Sequence, residues 1–141
     1  MTTCHSKVVF TIPGPAQAKQ RPRINRQTGR VYTPNATHKY EKLVKECYGD
    51  RHFFDSQYIS VKITFKFSIP KSYSKAEYYE ALIGEIRPKK ADIDNYIKSV
   101  LDGLNGVAFT DDRYICHLEA EKIYTEGEAE TIVEINSMKT D

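Results

Sequence analysis

The sequence predicts a single domain of the α/β (α+β) class, in which about three helices pack on a mixed sheet of about four strands. Residues 59–69 alternate strictly between apolar and polar side chains, as in a strand with one buried face. Residues 93–104 instead carry apolar side chains at the three- and four-residue spacing of a helix. Helix-like and strand-like stretches interleave without an internal repeat or a linker, so we expect one domain over residues 1–141.

The N-terminal part predicts a strand followed by a basic segment. Residues 8–12 form a short apolar run that ends at a stretch of proline and glycine, which is typical of a strand and its end. Residues 16–33 predict an irregular or hairpin-like segment, with its turn between Asn25 and Gly29.

Two further helices have recognisable start signals. Thr33 and Pro34 favour a helix start, with the threonine as N-cap and the proline at the first helical position. Apolar side chains at helical spacing then predict a helix over about residues 35–48. Ser74 and Glu77 have the spacing of a capping box and predict another helix after them.

The C-terminal part predicts two strands, residues 114–124 and 131–135. The loop between them contains Gly127, and we expect it to join the two strands as a hairpin. With the two strands described above, they complete the predicted sheet.

Composition limits the functional classes. Three widely spaced cysteines without a C-x-x-C pair support neither a disulfide framework nor a zinc site. No apolar run reaches the roughly 20 residues of a membrane-spanning helix, and the N-terminus shows no signal-peptide core. We therefore expect a cytoplasmic protein without a membrane partner.

The distribution of charge indicates a polyanionic partner. The net charge is only +2, but residues 1–40 contain seven lysines and arginines and no aspartate or glutamate. A basic arm on an acidic body suits an enzyme that binds phosphates with cations and a metal ion with carboxylates. A solvated basic loop without a ligand is the alternative. The candidate DNA-binding residues of the arm are Lys19, Arg21, Arg23, Arg26 and Arg30.

Carboxylates bracket the apolar helix. Asp92 stands at its N-cap position and Asp94 in its first turn, where the helix dipole favours negative charge. Asp111 and Asp112 follow after a short apolar stretch. Hard oxygen ligands of this kind suit Mg²⁺ or Mn²⁺. Lys98 falls one turn after Asp94, where it would stabilise negative charge on a bound phosphate.

Other kinds of site find less support. In a calcium loop beginning at Asp92, the sixth and twelfth positions would be Ile97 and Gly103, where an EF-hand needs glycine and glutamate. The four histidines show no ligand spacing, and no G-x-S-x-G nucleophile motif is present. The sequence therefore does not support catalysis by a histidine or by a covalent nucleophile.

A purely structural interpretation of the acidic residues stays open at this point. Asp92 would only cap the helix, and Asp94 and Lys98 would form an ion pair. The second acidic pair would be a solvated turn, and Asp102 would be a carboxylate on the helix surface.

Two groups of short segments make a more specific pattern. The acidic region contains Asp92-Ile93-Asp94-Asn95, Lys98, Leu101-Asp102-Gly103-Leu104 and Asp111-Asp112. The N-terminal region contains Ile12-Pro13-Gly14, Lys19, Arg21-Pro22-Arg23, Gly29 and Tyr32-Thr33-Pro34. Together they resemble the RusA family of Holliday junction resolvases, which are small homodimeric endonucleases often encoded by phages. The connection after Leu104 is tighter than in the founding bacterial type and resembles that of phage relatives.

The resemblance implies a function and a set of site residues. It implies that Asp92, Asp94 and Asp112 bind catalytic Mg²⁺, with Mn²⁺ as a substitute, and that Asp111 is a secondary candidate. It further implies that cleavage needs Lys98. The expected protein is a homodimeric crossover junction endodeoxyribonuclease, which hydrolyses phosphodiesters of four-way DNA junctions in recombination and repair. The two symmetric strands of a junction suit a twofold enzyme.

Two other functions remain possible on the sequence. One is a non-catalytic nucleic-acid-binding module, whose carboxylates would be caps and surface charge. The other is a metal-dependent nuclease that acts on RNA or on other branched DNA, because no element of the sequence excludes such substrates.

Overall fold

The computed structural model describes the backbone of residues 3–140 and the side chains of residues 6–137. A short 3-10 turn, Asp112–Tyr114, precedes the fifth strand. The other elements, in chain order, are β1 (Thr3–Pro13), β2 (Arg23–Ile24), β3 (Val31–Tyr32), α1 (Asn35–Tyr48), β4 (Ile59–Ser68), α2 (Lys75–Leu82), α3 (Ile93–Leu104), β5 (Ile115–Thr125) and β6 (Glu130–Thr140).

Four strands form one mixed sheet in the order β1-β6-β4-β5. Strand β4 is parallel to β5 and antiparallel to β6, and β6 is antiparallel to β1. The alternating apolar residues of β4 are buried at Ile59, Val61, Ile63 and Phe65, as the sequence predicts. The predicted fold class is confirmed, since a mixed four-stranded sheet and three helices are present.

The predicted hairpin of the last two strands is wrong, because β4 lies between β5 and β6. The loop between them crosses the end of β4, where the Ser68 hydroxyl donates a hydrogen bond of 3.1 Å to the carbonyl of Gly127. The reason lies in the side chains. Val133 and Ile135 of β6 are fully buried beside β4, whereas β5 carries charged and exposed residues that suit an edge strand.

The helix predictions agree closely with the structure. Helix α1 spans the predicted residues, although Pro34, and not Thr33, is its cap residue, and no side chain caps it. The capping box of α2 is present, with the Glu77 N–H donating to the Ser74 hydroxyl at 3.1 Å and the reciprocal bond at 3.0 Å. Within residues 3–140, no helix is long and apolar enough to span a membrane.

Helices α1 and α3 cross at very short range. A Cβ atom added to Gly103 would lie 2.6 Å from the Cβ of Val44 and 3.2 Å from the carbonyl oxygen of Glu41. The ammonium of Lys45 then donates to the carbonyls of Gly103, at 2.8 Å, and Asn105, at 3.2 Å, at the end of α3. Only glycine fits this position, and the close approach fixes α3 against α1.

We expect Gly103→Ala to destabilise the protein. The added methyl group overlaps Val44, and overpacking of this kind costs about 1–3 kcal/mol, which outweighs the better helix propensity of alanine. Urea unfolding at equilibrium measures the effect. The matched control is Gly127→Ala, whose new Cβ would meet no atom closer than 3.9 Å and should change the free energy of unfolding by less than about 0.5 kcal/mol. Equal stability of the two variants would contradict the close crossing.

Candidate active site

The first acidic pair lies at the start of α3. Asp92 occupies the predicted N-cap position, but its side chain makes no capping hydrogen bond. Asp94, in the first turn, accepts a hydrogen bond of 3.0 Å from the N–H of Asn95. Both aspartates are exposed. The prediction that the Asp92 carboxylate caps the helix is therefore wrong, and this carboxylate is free of that structural task.

The residue before this pair has a strained backbone. Ala91 has a φ of 57°, in the left-handed region that residues with a Cβ rarely adopt. Two side chains hold the local chain, since Lys122 donates to the carbonyl of Ala91 at 3.0 Å and Tyr96 donates to the carbonyl of Lys90 at 2.9 Å. Strain held in this way is common at functional sites.

Tyr96 also anchors α3 to the sheet. It is not part of the apolar stripe that the sequence predicts for this helix, which consists of Ile93, Ile97, Val100, Leu101 and Leu104. Its ring is almost fully buried and lies with its centroid 5.5 Å from those of Phe65 and Phe67. The aromatic contacts and the hydroxyl bond to Lys90 hold the start of α3 at a fixed distance from β4. The only sequence signal for this role is the residue type, because a buried tyrosine can pack its ring in the core and still donate a hydrogen bond from its hydroxyl.

The two residues of the second acidic pair, Asp111 and Asp112, have different surroundings. Asp111 precedes the 3-10 turn and accepts a hydrogen bond of 3.0 Å from the N–H of Arg113, and this bond lowers the pKa of Asp111. Asp112 begins the turn and is partly buried, and that burial, together with a hydrogen bond to Asp111, raises the pKa of Asp112. Asp111 therefore serves as a cap, while Asp112 faces α3.

Lys98 joins the second acidic pair to α3. Its ammonium lies 2.9 Å from Oδ1 of Asp102 and 3.5 Å from Oδ2 of Asp112. The hydrogen bond to Asp102 is the main reason that the pKa of Lys98 is raised, so the lysine is charged at neutral pH. Among the side chains of residues 6–137, Lys98 pairs with these two carboxylates and not with Asp94. The ion pair of the structural interpretation is therefore absent there.

The candidate metal ligands lie on α3 and on the 3-10 turn, but they do not form a complete set of ligands around one point. Helical spacing places Asp94 one turn before Lys98, and Asp112 reaches Lys98 from the 3-10 turn. Within the described side chains, however, no three acidic, histidine or cysteine groups are close enough to hold a metal ion. The donor set consists of carboxylate oxygens alone, which fits Mg²⁺ or Mn²⁺ in kind.

Lys19 and Asp102 form an ion pair that the sequence does not predict. Lys19, a predicted DNA contact, has its ammonium 2.5 Å from Oε1 of Glu41 and 3.0 Å from Oδ2 of Asp102, and its side chain is only 26% exposed. Asp102 bridges Lys19 and Lys98 and is 18% exposed, so its assignment as a carboxylate on the helix surface is wrong. A contact of Lys19 with DNA stays a prediction.

The basic segment forms the predicted hairpin. Strands β2 and β3 pair, and the Asn25 side chain accepts hydrogen bonds from the N–H groups of Gln27 and Thr28, at 2.9 and 3.2 Å. Ile24 and Val31 are about two-thirds exposed, at 65% and 66%. The whole segment of residues 21–32 is exposed, and it includes four of the predicted DNA contacts, Arg21, Arg23, Arg26 and Arg30.

Comparisons with known proteins agree with these observations. The family described as endodeoxyribonuclease RusA matches residues 13–136, a range that contains the basic hairpin and both acidic pairs. The chain belongs to the RusA family. It is also 32% identical over 126 residues to the uncharacterized protein YqaN of Bacillus subtilis strain 168, and the match covers 84% of this chain and 89% of YqaN. Membership confirms the resemblance seen in the sequence and supports a nuclease that hydrolyses DNA phosphodiesters.

We expect Ala91→Gly to raise the free energy of unfolding by about 1 kcal/mol. Glycine adopts the left-handed backbone without the cost of a Cβ, which is about 1–2 kcal/mol, and part of that gain is lost to its greater freedom when unfolded. Thermal unfolding measures the change. Ala36→Gly in the ordinary helical backbone of α1 is the control and should have the opposite sign. A loss of stability in Ala91→Gly equal to that of the control would contradict the strained conformation.

Proposed function

We propose that this chain is a Mg²⁺-dependent, structure-selective endonuclease that resolves four-way (Holliday) DNA junctions by paired phosphodiester hydrolysis. The observation that carries the proposal is the position of Lys98, whose ammonium lies beside Asp112 and one helical turn beyond Asp94. A cation and two carboxylates at this spacing suit a phosphate and a metal ion together. Family membership supplies the reaction class.

Asp92, Asp94 and Asp112 are the residues that would hold the ion, with Mn²⁺ as a substitute. Two of them are exposed and the third is partly exposed, which suits an ion that keeps several waters and takes few protein carboxylates. When bound, the ion would activate a water molecule and neutralise charge on the phosphate. Asp111 is assigned to capping, because it is the cap residue of the 3-10 turn and its neighbour Asp112 is the one that lies beside Lys98.

Lys98 would act on the phosphate itself. Its ammonium is charged and lies 3.5 Å from Oδ2 of the candidate ligand Asp112. A positive group there would stabilise the charge that develops on the phosphate oxygens or on the leaving oxygen. Lys98 is thus a catalytic residue in this proposal and not a metal ligand.

The basic hairpin would hold the DNA. Its arginines are exposed at the tip and sides of β2 and β3, and their charge suits backbone phosphates. Two copies of the chain would be needed to cut two strands of one junction symmetrically, so the proposed enzyme is a homodimer.

The central test is cleavage of a labelled four-way junction beside a matched linear duplex. We expect paired nicks in the junction with Mg²⁺ and none with chelator. Asp94→Asn and Asp112→Asn should each lower the single-turnover rate by at least about 100-fold, because each removes a charge on which the ion depends. Junction binding should be retained, since repulsion between carboxylate and phosphate falls.

Asp111→Asn is the matched control for this test. Asparagine also accepts a hydrogen bond at a cap, so the variant should keep its fold and most of its cleavage. Wild-type cleavage in Asp94→Asn would overturn the metal assignment. Tight junction binding without cleavage at any concentration of Mg²⁺ or Mn²⁺ would favour a non-catalytic binding module, and cleavage of RNA or flaps alone would favour a different nuclease.

The role of the hairpin has its own measurement. Replacing Arg26 by glutamine should weaken junction binding and reduce the slope of log affinity against log salt concentration by about 0.9 for one lost contact with duplex phosphate. Lys42→Gln, on the exposed surface of α1, removes the same charge away from the hairpin and should leave the slope unchanged. Equal slopes for wild type and Arg26→Gln would place Arg26 outside the DNA interface.

A further inference from the structure

Asp102 lies between two ammonium groups. Its Oδ1 atom is 2.9 Å from Nζ of Lys98, and its Oδ2 atom is 3.0 Å from Nζ of Lys19. Each carboxylate oxygen therefore accepts from a different lysine, and the group is held from two sides. With 18% of its side chain exposed, Asp102 is also partly shielded from solvent, which strengthens both interactions.

Lys19 is itself fixed by contacts with two helices, α1 and α3. Its ammonium also contacts Glu41 of α1, whose side chain is 18% exposed. Its backbone N–H donates to the carbonyl of Asn95 in α3 at 2.9 Å, and the next residue, Gln20, donates its N–H to the Thr37 hydroxyl at 3.2 Å. Lys19 thus ties the segment after β1 to both helices, and it presents a fixed positive charge to Asp102.

Lys98 depends on Asp102 more than on Asp112. The distance to Asp102 is 2.9 Å and the distance to Asp112 is 3.5 Å, so the first contact is the stronger one. A lysine side chain loses much rotamer entropy when it is held in one place, and 53% of this one is exposed. The charge-assisted bond to Asp102 is what opposes that freedom.

We propose that Asp102 is a positioning residue for the cleavage reaction: it holds the Lys98 ammonium beside Asp112, and the Lys19–Glu41 pair holds Asp102. The inference rests on the proposed function, because Lys98 acts on the phosphate there. In this proposal Asp102 is neither a metal ligand nor a DNA contact. Its effect on the reaction passes through Lys98.

The consequence is a loss of rate without a loss of binding. In Asp102→Asn the shape of the side chain is retained and its charge is removed, so Lys98 is free to leave its place. A displacement of about 1 Å in a catalytic group can cost about 100-fold in rate. We expect single-turnover cleavage of the junction to fall about 10–100-fold, with a dissociation constant for the junction within about twofold of wild type.

A double-mutant comparison separates positioning from a general structural role. Because Asp102 acts through Lys98, Asp102→Asn should add no further loss of rate to a Lys98→Ala enzyme. A structural defect would cost the same factor in both backgrounds. Asp102→Glu, which keeps the charge, should recover part of the rate. Glu46→Gln, in an exposed ion pair of α1 with Lys42, is the control and should cut at the wild-type rate.

A second measurement, by NMR, detects the contact between Lys98 and Asp102 directly and does not depend on cleavage. Lysine ammonium groups in stable hydrogen bonds give resolved ¹H–¹⁵N signals, and Lys98→Met and Lys19→Met assign the two that matter here. We expect both signals in the wild type. In Asp102→Asn the Lys98 signal should be broadened or lost, whereas the Lys19 signal should be retained because Glu41 still binds that ammonium. Both signals should be unchanged in Glu46→Gln.

The outcomes distinguish the two proposals. If the wild type cuts junctions and Asp102→Asn cuts at the same rate, the positioning role is overturned and the proposed function stands. A Lys98 signal that is unchanged in Asp102→Asn overturns it as well. If the wild type does not cut any junction, the proposed function fails and the inference falls with it.

Discussion

The close crossing of α1 and α3 at Gly103 is the constraint on which the candidate site depends. With no Cβ at Gly103, the backbone of α3 approaches Val44 and the carbonyl of Glu41 directly. This approach brings the Glu41 side chain within reach of Lys19, which in turn reaches Asp102. The helix crossing is a packing feature, but the charges that line the site take their positions from it.

The local features of the fold could be predicted well from the sequence. The bounds of α1 and α3 follow from apolar spacing, and Gly106, just after α3, takes the left-handed backbone that often follows a helix, with a φ of 87°. The order of strands could not be predicted in the same way. Strands β5 and β6 are neighbours in sequence, yet burial of Val133 and Ile135 beside β4 separates them, and only the packing of the whole sheet decides that.

The candidate site, too, has residues that the sequence predicts and contacts that it does not. Asp92, Asp94 and Lys98 lie on one stretch of helix, so their pattern was visible as a motif, and Asp112 follows closely enough to belong to it. The contacts of Lys19 with Glu41 and Asp102 join residues far apart in the chain and have no periodic signature. For this reason the sequence predicts Lys19 only as a DNA contact and Asp102 only as a carboxylate on the helix surface, and it gives no sign of their ion pair.

The distribution of burial gives the two sets of carboxylates different tasks. Glu41 and Asp102 are shielded from solvent and are matched by lysines, as partly buried charges require. Asp92 and Asp94 are exposed, and water can solvate them until a cation arrives. Asp112 stands between the two sets, since it faces Lys98 and is a candidate ligand as well. If Asp102 holds Lys98, the lysine cannot move further onto Asp112 and displace an incoming metal ion. In the proposed reaction, Asp102 would then both position Lys98 and keep the candidate ligand Asp112 available.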